Sequence, residues 1–145
     1  MQSFLIISRN KNISEKEASN ICQKYNIDNF DIAVLQQEEN SIGIENIRIL
    51  QNKVSLKPFK SKYKAAIIKD AEKLTREAQN ALLKTLEEPP TNTILILIAT
   101  NKEVFLPTVL SRCKIIEIKE KILDLSQKDN DQFTGILNSL SWPNI

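Results

Sequence analysis

Few side chains of this chain can do acid–base or metal chemistry. Its 145 residues include no histidine and two cysteines, Cys22 and Cys113, which lie 91 positions apart. The lack of imidazole excludes Ser-His-Asp hydrolases and histidine-ligated metal enzymes. Two distant cysteines form neither a disulfide framework nor a four-ligand zinc site, so we expect no metal and a reducing compartment. We also expect no cofactor.

A lysine-rich run with two aromatic residues is the clearest local cluster of charge. Residues 57–64 read KPFKSKYK and interleave four lysines with Phe59 and Tyr63. Basic and aromatic side chains interleaved in this way can contact the phosphate backbone of a nucleic acid, and a solvated loop is the other interpretation. The formal net charge of +2 is too small to indicate nucleic-acid binding by itself.

Short β-branched runs alternate with amphipathic segments, a pattern typical of a parallel sheet with helices on its faces. We predict strands over residues 3–8, 31–35, 64–68, 93–99 and 114–118. Helices are predicted over 15–25, 44–56 and 76–87, with a short one over 105–110. For the helix over 76–87, Thr75 is a suitable N-cap and Pro89-Pro90 ends it. The predicted class is α/β, with a five-stranded parallel sheet.

The chain is predicted to hold one domain. Residues 1–119 form it, and residues 120–145, which turn polar before a last apolar patch, form a C-terminal tail. The longest apolar runs, 4–7 and 94–99, are far shorter than the roughly 18–20 residues that cross a bilayer. Met1 also leads directly into a strand-like run, so we expect a cytoplasmic protein without a membrane partner.

Residues 65–113 carry a resemblance to a known family. The matching segments are DAEKLT at 70–75, EAQNALLKTLEEPP at 77–90, LPT at 106–108 and SRC at 111–113. They are similar to the first domain of bacterial clamp-loader subunits of DNA polymerase III, the delta-prime and gamma/tau group of the AAA+ superfamily. The resemblance implies a three-layer, P-loop-NTPase-like domain with helices on both faces of the sheet. It also implies that the tail 120–145 stands in place of lid and collar domains.

The resemblance implies where ATP phosphates would bind, and the sequence departs from the family there. Members hold phosphate with a glycine-rich loop after the first strand. Residues 9–19 here, RNKNISEKEAS, contain no glycine. Ser14 and Glu17 instead fit a helix capping box, and Glu15 adds a second carboxylate. We therefore predict a blocked phosphate site, formed by Ser14, Glu15 and Glu17, that repels polyphosphate.

The family's acidic motif is also altered. In the family a strand ends in Asp-Glu, which face Mg²⁺ and the attacking water. The corresponding residues here are Lys69 and Asp70, followed by Glu72. This degenerate acidic motif predicts no ATP hydrolysis in cis. An alternative is that Lys69 and Asp70 are exposed residues at a strand end.

Other parts of the family pattern are retained. The triplet Ser111, Arg112 and Cys113 matches the family's arginine finger, which enters the ATP site of a neighbouring subunit. Alternatively, Arg112 caps carbonyls or pairs with a nearby acid, and Cys113 is a small buried residue. Thr100, followed by Asn101, resembles the family's γ-phosphate sensor, and a plain strand-to-helix turn is the alternative.

The resemblance thus implies a non-catalytic, delta-prime-like clamp-loader subunit that offers Arg112 in trans. The implied partners are ATP-binding, gamma/tau-like subunits and others of the complex, with the sliding clamp and primer-template DNA as further candidates. Two alternatives stay open. One is a small adaptor that binds replication proteins outside a ring, and the other is a nucleotide-binding switch in which Lys11 replaces the phosphate-binding lysine.

Overall fold

A computed structural model describes residues 2–119, so the predicted tail 120–145 lies outside the described residues. The strands are β1 (Ser3–Ile7), β2 (Ile32–Leu35), β3 (Lys64–Ile68), β4 (Thr93–Ala99) and β5 (Lys114–Glu117). They form one five-stranded sheet in the order β2-β3-β4-β1-β5. Every neighbouring pair is parallel. The predicted parallel sheet is confirmed.

Helices cover both faces of this sheet. They are α1 (Lys11–Lys24), α2 (Ile44–Val54), α3 (Arg76–Glu87) and α4 (Pro107–Leu110), with 3-10 turns at Asn29–Asp31 and Ala71–Lys73. Apolar residues of α1 pack in a core on one face, and those of α2, α3 and α4 pack in a core on the other. The three layers are confirmed.

Continuous apolar runs produce the central strands. All seven residues of β4 are buried, because β4 lies between β3 and β1 and has helices on both sides. Most predicted element ends coincide with the observed ends, nearly all the others differ by one or two residues, and both ends of α3 are as predicted. Its N-cap is Thr75, whose Oγ accepts a hydrogen bond from the Ala78 N–H at 3.1 Å. The start of α1 is the exception.

The parallel arrangement divides the polar residues between two edges of the sheet. The carboxyl edge is where strands end, and it holds Lys69 after β3 and Thr100 after β4. The amino edge is where strands begin, and it holds Arg112 before β5. The residues of the predicted ATP site and the predicted arginine finger therefore lie at opposite edges of one sheet.

Candidate functional site

The carboxyl edge brings together residues that are far apart in the sequence. Lys11 Nζ lies 3.0 Å from Asp70 Oδ1, and Lys69 Nζ lies 2.6 Å from Glu15 Oε1. Two ion pairs thus connect the first turns of α1 to the segment after β3. One residue of the predicted blocked site, Glu15, therefore lies in a cluster with Lys69 and Asp70 of the degenerate acidic motif.

The predicted capping box of Ser14 and Glu17 is wrong. Helix α1 starts at Lys11, four residues earlier than predicted, and its N-cap is Asn10. Asn10 Oδ1 accepts hydrogen bonds from the Asn12 N–H at 2.9 Å and the Ile13 N–H at 3.3 Å. Asparagine caps helices as well as serine does, and here it lies one turn before Ser14. The helix N-terminus is therefore satisfied by Asn10.

Ser14 and Glu17 consequently have other surroundings. Ser14 lies inside the helix, fully buried, and its Oγ has no hydrogen-bond partner among residues 2–119. Glu17 Oε1 accepts a long hydrogen bond of 3.5 Å from Asn20 Nδ2. Of the three predicted blocking residues, only Glu15 contacts the acidic-motif segment, through Lys69.

Asp70 is the most enclosed charged group of the cluster. Its side chain is 11% exposed and lies between Lys11 Nζ and Lys73 Nζ, the latter at 3.8 Å from Oδ2. The backbone of Asp70 is left-handed, with φ 52° and ψ 46°. Aspartate tolerates this conformation better than most residues. The hydrogen bond that Lys11 Nζ donates to Asp70, together with the negative charge of Asp70, raises the pKa of Lys11.

Thr100 and Asn101 form the turn that follows β4. The Thr100 N–H donates to Glu72 Oε1 at 3.0 Å, which ties the end of β4 to the segment after β3. Asn101 Oδ1 accepts a hydrogen bond from the Glu103 N–H at 2.8 Å and so closes a local turn. These contacts agree with the alternative of a strand-to-helix turn.

Arg112 lies on the amino edge, in the turn between α4 and β5. Its Nη2 lies 3.0 Å and its Nε 3.2 Å from Glu87 Oε1, at the end of α3. The Arg112 side chain is 38% exposed and that of Glu87 is 49% exposed. The predicted alternative of a nearby acid is thus observed, and the guanidinium also remains accessible to solvent.

The neighbours of Arg112 in the triplet have structural contacts. The Ser111 hydroxyl donates to the Thr108 carbonyl at 3.0 Å. Cys113 packs against the core beside α4, and burial raises the pKa of its thiol to about 11. A thiol with this pKa is almost fully protonated at neutral pH, and it is therefore a poor nucleophile.

The sequence reasoning missed two residues of the site, Asn10 and Glu87. A signal existed for Asn10, because asparagine directly before a polar amphipathic segment is a good N-cap. Glu87 gave no such signal, since its contact with Arg112 spans 25 positions and depends on how α3 meets β5.

Within residues 2–119, no cluster of three or more His, Cys, Asp or Glu side chains is arranged to hold a metal ion. In the same part of the chain, no helix combines the length and apolar character needed to span a membrane.

Comparison with known proteins identifies the family. The sequence model of the family described as "DNA polymerase III, delta subunit" matches residues 1–121. The chain belongs to this family. DNA polymerase III subunit tau of Bacillus subtilis is 38% identical over 89 residues, which cover 61% of this chain and 16% of that protein. DNA polymerase III subunit delta' of Haemophilus influenzae is 39% identical over 74 residues, covering 51% and 23%. The chain thus matches only a quarter or less of these relatives.

Solved structures have the same fold. A gamma subunit-related protein of DNA polymerase III from Thermotoga maritima superposes with a TM-score of 0.71 at 24% identity, covering 94% of this chain and 49% of that one. The RuvB Holliday junction branch migration motor of the same organism gives 0.56 at 13% identity, covering 81% and 37%. The fold of this family member is therefore the P-loop AAA+ fold expected from its sequence.

Proposed function

We propose that this chain is a non-catalytic, delta-prime-like part of a DNA polymerase III clamp loader, which supplies Arg112 to the ATP site of a neighbouring subunit. The observation that carries the proposal is the placement of Arg112. It is solvent-accessible on the amino edge, and the residues of its own ATP-site region lie on the carboxyl edge. The Arg112 guanidinium is therefore too far from the ATP-site region of its own chain to act there, and it is accessible to another subunit.

Three features argue against ATP binding at the chain's own site. A phosphate at a helix N-terminus needs free backbone N–H groups, and Asn10 already accepts from two of them. The ammonium groups of Lys11 and Lys69 each lie beside a carboxylate. Phosphate binding would have to break the cap and compete with both ion pairs, with no glycine between residues 9 and 19 to reshape the loop.

The acidic motif is equally unsuited to hydrolysis. Lys69 stands where the family has the acidic partner of Mg²⁺, and a cation there repels the metal. Asp70 is held between two lysines and is therefore not free to orient a water molecule. We infer that this chain does not hydrolyse ATP in cis.

The surroundings of Arg112 suit a role in trans. Among residues 2–119, its one carboxylate partner is Glu87, which is half exposed, so the pair is weak and can be exchanged for a phosphate at modest cost. Arginine stays charged and can bind two phosphate oxygens at once. An arginine supplied in trans accelerates hydrolysis by roughly 10³ to 10⁵ in GTPases. The proposed partners are ATP-binding, gamma/tau-like subunits, with the sliding clamp and primer-template DNA as further contacts of the assembly.

Calorimetric titration tests the non-binding part of the proposal. Mg-ATP added to the 145-residue chain is expected to give no binding in the micromolar range. Micromolar affinity would contradict the proposal and would favour the switch that uses Lys11. Loss of the Mg-ATP affinity in Lys11→Ala would then show that ATP binds at the start of α1.

The arginine finger is tested with an assembled partner. Arg112→Ala should leave the complex with the cognate gamma/tau-like subunit intact and lower its DNA-stimulated ATPase by at least about tenfold. Arg48→Ala is a matched control, because Arg48 also pairs with one exposed glutamate, Glu45, at 2.8 Å. A stable complex with unchanged ATPase in both variants would refute the finger and favour the adaptor function.

A further inference from the structure

A second surface lies on the amino edge beside β2 and β3. Phe30 and Phe59 are 73% and 77% exposed. Their ring centroids lie 6.2 Å apart with the ring planes tilted by 55°. We call these two rings the aromatic platform. Exposing two neighbouring phenylalanines to water is unfavourable, so such a pair marks an interaction surface.

Unpaired positive charge surrounds the aromatic platform. Lys60 Nζ lies 4.5 Å from the centroid of Phe30, and Lys53, Lys57 and Lys62 are exposed nearby in sequence. Within residues 2–119, no carboxylate lies within 4.0 Å of these four lysine ammonium groups. Their charge is therefore available to an anionic ligand.

A groove of about 300 Å³ joins the rings to this charge. Phe30, Phe59 and Leu56 supply apolar walls, and Lys53 and Lys57 supply exposed basic groups, whereas the third lysine of the lining, Lys64, is buried. The carboxylate in the groove wall, Asp31, is buried and already hydrogen-bonded. The groove therefore combines flat apolar surface with cations.

The loop that carries Phe59 is held in place by that buried carboxylate. Asp31 is 7% exposed and accepts hydrogen bonds from the backbone N–H groups of Phe59, Lys60 and Ser61. Burial alone would raise the pKa of Asp31, and these hydrogen bonds outweigh it and lower the pKa to about 2. Ser61 Oγ also accepts from the Asp28 N–H at 2.6 Å, which ties the loop to the turn that carries Phe30. The platform is thus built before any ligand arrives, and binding costs less ordering entropy.

We propose that the aromatic platform and its lysines bind single-stranded nucleic acid, with bases stacked on Phe30 and Phe59 and phosphates beside Lys53, Lys57 and Lys60. Every base has a π-face, so stacking on exposed rings within a basic groove binds single strands with little sequence preference. An acidic peptide would use the lysines and leave the two rings without a matching group. The strands beside this surface, β2 and β3, lie four and three positions away from β5 in the order of the sheet, so the role of the surface does not depend on the arginine finger.

Fluorescence anisotropy with the 145-residue chain and a fluorescein-labelled oligothymidylate of about 15 nucleotides tests the proposal. Phe30→Ala and Phe59→Ala should each raise Kd at least about fivefold, because each removes a stacking surface. Val104→Ala, which truncates an exposed apolar side chain outside the groove, should leave Kd unchanged. Both phenylalanines are exposed, so the variants should fold, and circular dichroism confirms that they do.

The charge contribution is tested by salt and by matched lysines. The affinity for oligothymidylate should fall with rising salt. In a plot of log Kd against log salt concentration, Lys57→Gln should lower the slope by about 0.7. Lys16→Gln, at an exposed position of α1, is the control and should leave the salt dependence of Kd unchanged.

Two further probes separate the classes of ligand. An abasic oligonucleotide of the same length and polyglutamate of the same charge should both bind more weakly than oligothymidylate, and their Kd should not respond to Phe59→Ala. Equal Kd values for all three probes would overturn the proposal in favour of an acidic protein partner. Oligothymidylate binding that Phe30→Ala and Phe59→Ala leave unchanged would also overturn it.

Discussion

The ammonium of Lys11, the first residue of α1, lies 3.0 Å from the carboxylate of Asp70 in the turn after β3. This contact neutralises the lysine nearest to the N-terminus of α1, and it occupies the carboxylate nearest to the position of the family's water-orienting residue. One ion pair therefore removes a cation and an anion that an ATP site would need. It links the first turn of α1 to the segment after β3.

The Lys11–Asp70 pair should contribute measurably to stability. Asp70→Asn keeps a residue that tolerates the left-handed backbone and removes the charge between Lys11 and Lys73. We expect the free energy of unfolding in urea to fall by about 1 kcal/mol, because Asp70 is nearly enclosed. Glu45→Gln is the control and should cost less than about 0.5 kcal/mol, since the Arg48–Glu45 pair is exposed. Equal losses of unfolding free energy in Asp70→Asn and Glu45→Gln would mean that the low exposure of Asp70 does not strengthen its ion pairs.

The start of α1 can be tested by removing either candidate cap. Asn10→Ala should lower the free energy of unfolding by about 1 kcal/mol, because it frees two N–H groups of the first turn. Ser14→Ala should change it by less than about 0.5 kcal/mol or raise it, since the buried hydroxyl makes no hydrogen bond in the described part of the chain. Thermal or urea unfolding measures both variants. A larger loss of unfolding free energy in Ser14→Ala than in Asn10→Ala would identify Ser14 as the cap instead.

Asp31 should make the loop of residues 57–63 sensitive to acid. Its pKa of about 2 in the folded chain is below the ordinary value of 3.8. The stabilisation is therefore complete above pH 4 and is lost as the pH falls towards 2. At pH 7, Asp31→Asn should lower Tm by about 5 °C or more, because an amide cannot accept all three backbone hydrogen bonds.

The control for this pH effect is the wild-type chain over the same range. The Tm difference between wild type and Asp31→Asn should shrink as the pH falls from 4 to 2. A difference that stays constant with pH would show that the carboxylate charge contributes nothing there.

Glu87 should hold Arg112 without being required for its action. Glu87→Gln weakens a half-exposed pair, so the free energy of unfolding should fall by less than about 1 kcal/mol. The ATPase of the assembled partner should be retained, because phosphate replaces Glu87 as the partner of the guanidinium. The neighbouring Glu88→Gln is the matched control for charge. A loss of ATPase equal to that of Arg112→Ala would instead indicate that the pair is structural.

Much of the fold could be predicted because its signals are local. Continuous apolar runs gave the strands, and Thr75 with Pro89-Pro90 gave both ends of α3. The start of α1 was mispredicted because two good cap residues, Asn10 and Ser14, lie one turn apart, and only the packing of the helix decides between them.

The contacts of the site needed the structure. Lys11 meets Asp70 across 59 positions, and Asp31 meets Lys60 across 29. Such pairs depend on which strands become neighbours, and strand order does not follow from local patterns. For the same reason, the basic and aromatic run at 57–64 gave a candidate nucleic-acid surface without revealing Phe30 as its second ring.

The action of Arg112 in trans is tested most directly by the single-turnover rate of ATP hydrolysis in the partner's site, measured at saturating ATP in the assembled complex. We predict that Arg112→Ala lowers this rate at least about tenfold with ATP affinity little changed, that Arg112→Lys restores only part of it, and that Arg48→Ala leaves it at the wild-type value. A wild-type rate in the Arg112→Ala complex would contradict the proposed function.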